Sequence, residues 1–133
     1  MKTRLLFTLL LTVFAVLFTD AFSNINLGKS RDKEEEIILM GSLETGKVKS
    51  LFIPVPFEVW KSSTSIDVIY LSNLSNINVE VKNSSGQSVY NNNVNPVNGG
   101  HLLIDILGWE AGNYTITFSD SLGGCVYGAF TIY

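Results

Sequence analysis

The chain has 133 residues, a formal net charge of −3 and a single cysteine. Its length bounds it to one core. Its mild acidity, with no basic stripe, excludes the phosphate neutralisation on which nucleic-acid affinity depends, and one cysteine cannot close an intrachain disulfide.

The first segment is an address. Lys2 and Arg4 precede an uncharged run from Leu5 to Phe18, the charged and apolar regions of a secretory signal. As a helix that run would span roughly 21 Å, short of the ~30 Å hydrocarbon core of a bilayer. A cleaved signal over residues 1–23 is therefore expected in place of a membrane span. Ala21 and Ser23 put small residues where a signal peptidase reads, with cleavage before Asn24; cleavage after Ala21 is the alternative. The only cysteine, Cys125, is far from this junction, which excludes a lipid anchor there. Cleavage removes Lys2, Arg4 and Asp20 and leaves seven basic and eleven acidic side chains, a net charge of −4. The expected location is secreted or periplasmic.

Residues 24–36 are polar and dense in charge, ending in Lys33-Glu34-Glu35-Glu36. With nothing to bury, they read as a flexible leader. From Ile37 to Tyr133, short β-rich runs alternate with turn residues at the spacing of sandwiches and barrels, and no segment of helical period competes.

The first strand is predicted over Ile37 to Leu43. The second runs from about Lys49 to Val59 and contains Pro54 and Pro56, which cannot donate ladder hydrogen bonds and so place it on an edge or at a strand switch. Ser65 to Ser72 follows, its outer face made less polar by Ile69 and Leu71. In Ile77 to Lys82, Ile77, Val79 and Val81 face one way and Asn78, Glu80 and Lys82 the other. After the Asn83-Ser84-Ser85-Gly86 turn, Gln87 to Val94 reads as a polar edge strand with Val89 inward. His101 to Ile106 turns Leu102, Ile104 and Ile106 inward. Tyr114 to Ser119 buries Tyr114, Ile116 and Phe118, and Cys125 to Tyr133 buries Val126, Phe130 and Ile132. The result is an all-β, immunoglobulin-like (Greek-key) β-sandwich of seven or eight strands over residues 37–133.

Ala111-Gly112-Asn113-Tyr114 opens the penultimate strand with a glycine turn and then a tyrosine. This is the arrangement of a tyrosine corner, in which the phenol bonds a backbone group a few residues upstream, here near Glu110. The alternative is a core tyrosine without that bond. The order of the Ser-Gly turn, Val89-Tyr90, the Ala-Gly-Asn-Tyr corner and a closing Gly128-x-Phe130-x-Ile132 resembles an uncharacterised family. Its members are short, signal-peptide-bearing immunoglobulin-like domains of Gram-negative gut bacteria, grouped as a domain of unknown function. The resemblance covers about residues 37–133 and implies a fold and an address. For such bacteria, Asp120-Ser121-Leu122 looks like an O-glycosylation acceptor, with a plain turn as the alternative.

No catalytic constellation emerges. His101 and Cys125 are the only histidine and thiol, and no third group orients them as a nucleophilic dyad requires. Glu34-Glu35-Glu36 is a solvated charge run, and the sequence has no three or four ligands at metal spacing. Neither a metal nor a cofactor is expected. Binding residues are sought among the aromatics. Trp60 and Trp109, each expected at the end of a strand and not within one, can anchor a protein or glycan partner or fold over the core as lids. Tyr127 and Tyr133 fall on the outer face of the last strand; were that strand an edge, it would offer dimerisation or strand addition. The expected function is a secreted, non-enzymatic binding module. The alternatives are a small enzyme or enzyme inhibitor, or a structural part of a cell-surface assembly.

Overall fold

The computed structural model describes residues 33–44 and 54–133. The signal segment, the leader as far as residue 32, and residues 49–53 of the predicted second strand lie outside these residues. The described chain forms nine strands: β1 Glu35–Glu36, β2 Leu39–Ser42, β3 Phe57–Lys61, β4 Ser65–Tyr70, β5 Ile77–Asn83, β6 Ser88–Val94, β7 His101–Asp105, β8 Gly112–Ser119 and β9 Cys125–Ile132. A four-stranded sheet runs β1-β3-β4-β7 and a five-stranded sheet runs β2-β9-β8-β5-β6. Every described pairing is antiparallel.

Nine strands replace the expected seven or eight because the strand predicted over Ile37 to Leu43 is displaced and divided. Its first part begins earlier, within the expected leader, where Glu35 and Glu36 pair with Lys61 and Trp60 of the four-stranded sheet. The chain then crosses at Ile37 and Ile38, and β2 pairs with β9 of the other sheet. A second passage between sheets follows, since β2 and β3 belong to different sheets and Pro54 and Pro56 precede β3. Backbone pairing explains why so polar a segment is ordered. The buried Lys61 helps, its amine 3.5 Å from the Glu35 carboxylate.

The crossing needs room at one point. Gly128 is buried opposite Leu39. A Cβ there would lie 2.7 Å from Cγ2 of Ile37 and 2.9 Å from the carbonyl oxygen of Ile38. The missing side chain therefore admits Ile37 to the core, where it is 4% exposed.

Alternation fills the space between the sheets. Phe57 and Val59 on β3, Ile66, Val68 and Tyr70 on β4, and Ile104 on β7 meet Ile77, Val79 and Val81 on β5 and the inward residues of β8 and β9. Phe57 stacks on Phe118 across the two layers, with ring centroids 4.3 Å apart, an arrangement that adds to the area both bury. Burial, with Tyr90 nearby, raises the Tyr70 phenol above its ordinary pKa.

Val89 departs from its expected inward position and is exposed. Between β5 and β6 the register passes from Val81↔Tyr90 to Lys82↔Ser88, so Val89 is the extra residue of a bulge. Tyr90 and Val94 stand directly opposite the inward Val81 and Ile77, and residues so paired share a face. Tyr90 and Val94 accordingly pack against the core.

Gly128→Ala is expected to cost about 1–3 kcal/mol, because the new methyl meets backbone at Ile38 as well as a packed side chain. Urea unfolding of the variant beside the parent measures this. An unchanged midpoint would mean that the crossing does not depend on the missing Cβ.

Candidate functional site

The aromatic candidates separate once the register is known. Trp109 follows β7, its backbone N–H donating to the Ile106 carbonyl at 3.1 Å. It packs against the core, its ring centroid 5.4 Å from that of Tyr114. Of its two alternatives it takes the lid. Tyr114 is buried and in turn stacks with Phe130. The Tyr114 hydroxyl donates to the Glu110 carbonyl at 2.6 Å, which makes the tyrosine corner. Gly112, at φ +150°, has open space where a Cβ would stand. Its role is to let the chain turn into β8, since L side chains rarely adopt this backbone conformation.

Tyr127 and Tyr133 occupy different settings. β9 is covered only in part: β8 lies along one side, and β2 pairs on the other from Cys125 to Gly128, with no described strand beside residues 129–132 there. Among the described strands, the outermost are β1 and β7 in one layer and β2 and β6 in the other. Tyr127 lies between Met40 and Thr117 on the outer face of the five-stranded sheet and is 43% exposed. Tyr133 follows β9, is 96% exposed, and borders a small recess with Lys61 and Ile132.

Trp60 lies inside β3 and not at its end. Its neighbours Val59 and Lys61 point inward and are buried, so by alternation its ring belongs to the outer face. Across the four strands, the register sets Glu36, Trp60, Asp67 and Leu103 in one row and Glu58, Ile69 and His101 in the next. Trp60, half-buried, lines a recess of about 310 Å³ together with Glu34, Ser62, Ser65, Asp67, Ile69 and Leu103. That volume is at the lower end of small-ligand sites, roughly 300–1,000 Å³.

Two polar devices rigidify this face. Nδ1 of His101 lies 3.0 and 3.1 Å from the two Asp67 oxygens, a contact diagonal to the strand register. At the β3–β4 turn, the Ser62 hydroxyl accepts from the backbone N–H of Ser65 at 3.0 Å and of Thr64 at 3.3 Å. Sequence reasoning missed Asp67, Leu103 and the site role of His101. The apolar Ile69 within an alternating strand was the one visible signal.

The other groups singled out by sequence lie apart. Cys125 is exposed on β9 of the five-stranded sheet, whereas His101 sits on β7 of the other sheet with Asp67. Among the described residues, no three histidine, cysteine or carboxylate side chains converge on a metal position. No helix among them is long and apolar enough to cross a membrane. Asp120 is a hub of its turn: one carboxylate oxygen accepts from the N–H groups of Leu122 and Gly124 at 2.9 and 2.8 Å. The other accepts from Glu44 at 2.7 Å, tying the β8–β9 turn to the end of β2.

Comparison with known proteins gives a consistent picture. A family model described as "Domain of unknown function (DUF3244)" matches residues 36–132. Among solved structures, a DUF3244 family protein with an immunoglobulin-like β-sandwich fold from Bacteroides vulgatus is similar, with a TM-score of 0.62 at 18% identity. The likeness covers 75% of this chain and 99% of that one, and at this identity it shows the fold. The search of curated proteins gives no match.

Tyr114→Phe is expected to cost about 1–2 kcal/mol by leaving the Glu110 carbonyl without its donor. For a domain of this size that lowers the thermal midpoint by several degrees, together with a change in Trp109 emission. A variant that melts with the parent would show that the corner bond contributes nothing.

Proposed function

Because the chain belongs to the DUF3244 family of immunoglobulin-like domains, we propose that it is an exported, non-enzymatic binding module. It holds a ligand on the outer face of its four-stranded sheet. The supporting observation is the placing of Trp60. Of the two tryptophans, Trp109 packs against the core, while Trp60 lines an outward recess beside the exposed Leu103 and the half-buried Ile69. Large aromatic side chains in such recesses are the usual energetic anchors of interfaces. Rigid strands and the Asp67–His101 contact hold the recess in shape, which lowers the ordering cost of binding.

Export rests on the charged and apolar start of the chain. The binding role rests on the recess, and the same fold without it would serve equally well as a structural piece. The fold alone does not choose between these functions.

The full chain, produced in a Gram-negative host and recovered from the periplasm or medium, tests both parts. Its intact mass should correspond to a mature chain starting at Asn24; a product that keeps residues 1–23 removes the export reading. Screened against peptide and glycan arrays, Trp60→Ala should lose about thirtyfold or more in affinity for whatever the parent retains, the loss typical of a hot spot. Its thermal midpoint should stay within a few degrees of the parent's. Retention of ligand by Trp60→Ala at parental affinity moves the site elsewhere.

A further inference from the structure

The recess beside Trp60 sets two carboxylates beside an indole and apolar side chains, and we propose that it receives the side chain of a lysine or arginine carried by a protein partner. This rests on the reading of the Trp60 face as the binding site and specifies what that site takes.

The donor and acceptor inventory makes the case. Glu34 and Asp67, as carboxylates, only accept. Asp67 receives one ring nitrogen, that of His101, and a carboxylate has about four lone-pair sites, so capacity remains for a ligand. The Ser62 hydroxyl is already engaged: it accepts from Ser65 and Thr64 and lies 3.2 Å from the Ser65 carbonyl and 3.1 Å from the Ser65 hydroxyl. Among the described residues, no lysine or arginine lines the recess, and the Trp60 indole adds one N–H donor. A ligand must therefore bring donors and has little need of acceptors. Ammonium and guanidinium groups carry donors only and a positive charge, whereas a sugar hydroxyl can donate to a carboxylate but brings no charge to offset Glu34 and Asp67.

The apolar part of the recess fits the same ligand. Lysine and arginine carry a charged head on a methylene stem that covers apolar surface. Ile69 and the 68% exposed Leu103 provide that surface. The indole of Trp60 stands in the same row as Asp67, so a cation held by the carboxylate also meets an aromatic ring, a pairing favoured by the ring quadrupole. Glu36 and Glu58 belong to the same two rows, and the field they add draws a basic segment toward the recess.

The test uses the full chain recovered after export. Its probes are the peptide Gly-Lys-Gly-Lys-Gly, its arginine and glutamate counterparts, and a panel of neutral oligosaccharides, with binding followed by tryptophan fluorescence and calorimetry. The lysine and arginine peptides should bind and the glutamate peptide should not. Affinity should fall at least threefold between 0.05 and 0.5 M salt. Trp60→Ala and the isosteric Asp67→Asn should each weaken binding tenfold or more, with thermal midpoints confirming that both variants fold. If a neutral oligosaccharide binds in a Trp60-dependent, salt-independent manner and the basic peptides do not, the ligand class is overturned while the site stands. If basic peptides bind equally well to Trp60→Ala, they are held by general surface charge and the proposal fails. If no probe of either kind perturbs Trp60, both the ligand class and the binding reading fall.

Discussion

Two sheets held only by the side chains between them must keep their inward positions apolar except at the sandwich ends, and this constraint governs the rest of the molecule. The one cysteine is exposed and forms no staple. Layers of this size without a disulfide depend on the area they bury. Val59, Ile66, Val68, Val79, Val81, Ile116, Phe118 and Val126 are all fully buried, and seven of these eight are β-branched valine or isoleucine, the residues that suit a pleated surface. Because alternation assigns the inward face so strictly, each outward position is released for other purposes. A one-residue slip would put the whole hydrophobic set in water, which is why the single bulge at Val89 is confined to the edge strand β6.

The division of the N-terminal strand links this packing to the candidate site. Passing from β1 to β2, the chain covers part of β9 in one sheet and extends the other sheet beyond β3. The second effect sets Glu36 beside Trp60 and brings Glu34 to the recess. The first depends on Gly128, whose missing side chain leaves space for Ile37. A packing detail in one sheet thus sets the charge on the outer face of the other. The closing Gly128, Phe130 and Ile132 of the sequence are core positions, yet the first of them also shapes the recess through this crossing.

Much of this was legible in the residues. Clean alternation marked β5 and β8, and glycine before tyrosine marked the corner, because both are local patterns read within a few positions. What stayed hidden depends on register or on backbone pairing. Glu35 and Glu36 form a strand through main-chain bonds to β3, although their side chains carry every sign of solvated leader. Asp67 and His101 stand 34 residues apart and meet only because β4 and β7 are neighbours. Trp60 and Trp109 looked equivalent, each near a turn. Alternation from the buried Val59 and Lys61 turns Trp60 outward, whereas the turn after β7 folds Trp109 onto Tyr114. Lys61 itself defeats a hydropathy reading, since it is a cation on the inward face, compensated at the sandwich end by Glu35.

The two outer faces differ in a way that assigns them different roles. On the five-stranded sheet, amides and hydroxyls bond to one another: Asn78 donates to Asn91 and Asn93 at 2.9 and 3.1 Å, and Thr131 donates to Asn113 at 2.8 Å. Its ions Glu80 and Lys82 pair at 3.4 Å. Groups satisfied in this way have little to gain from a ligand, since binding would only exchange one set of partners for another. Among the described residues, the two rows of the four-stranded sheet carry Glu36, Glu58 and Asp67 with no lysine or arginine, and they set Trp60, Ile69 and Leu103 among those charges. Apolar area and uncompensated acceptors side by side form a surface whose free energy falls when a complementary amphipathic group arrives. The asymmetry follows from which residues alternation leaves outward on each sheet, and it is the reason the proposed recognition is assigned to the Trp60 face.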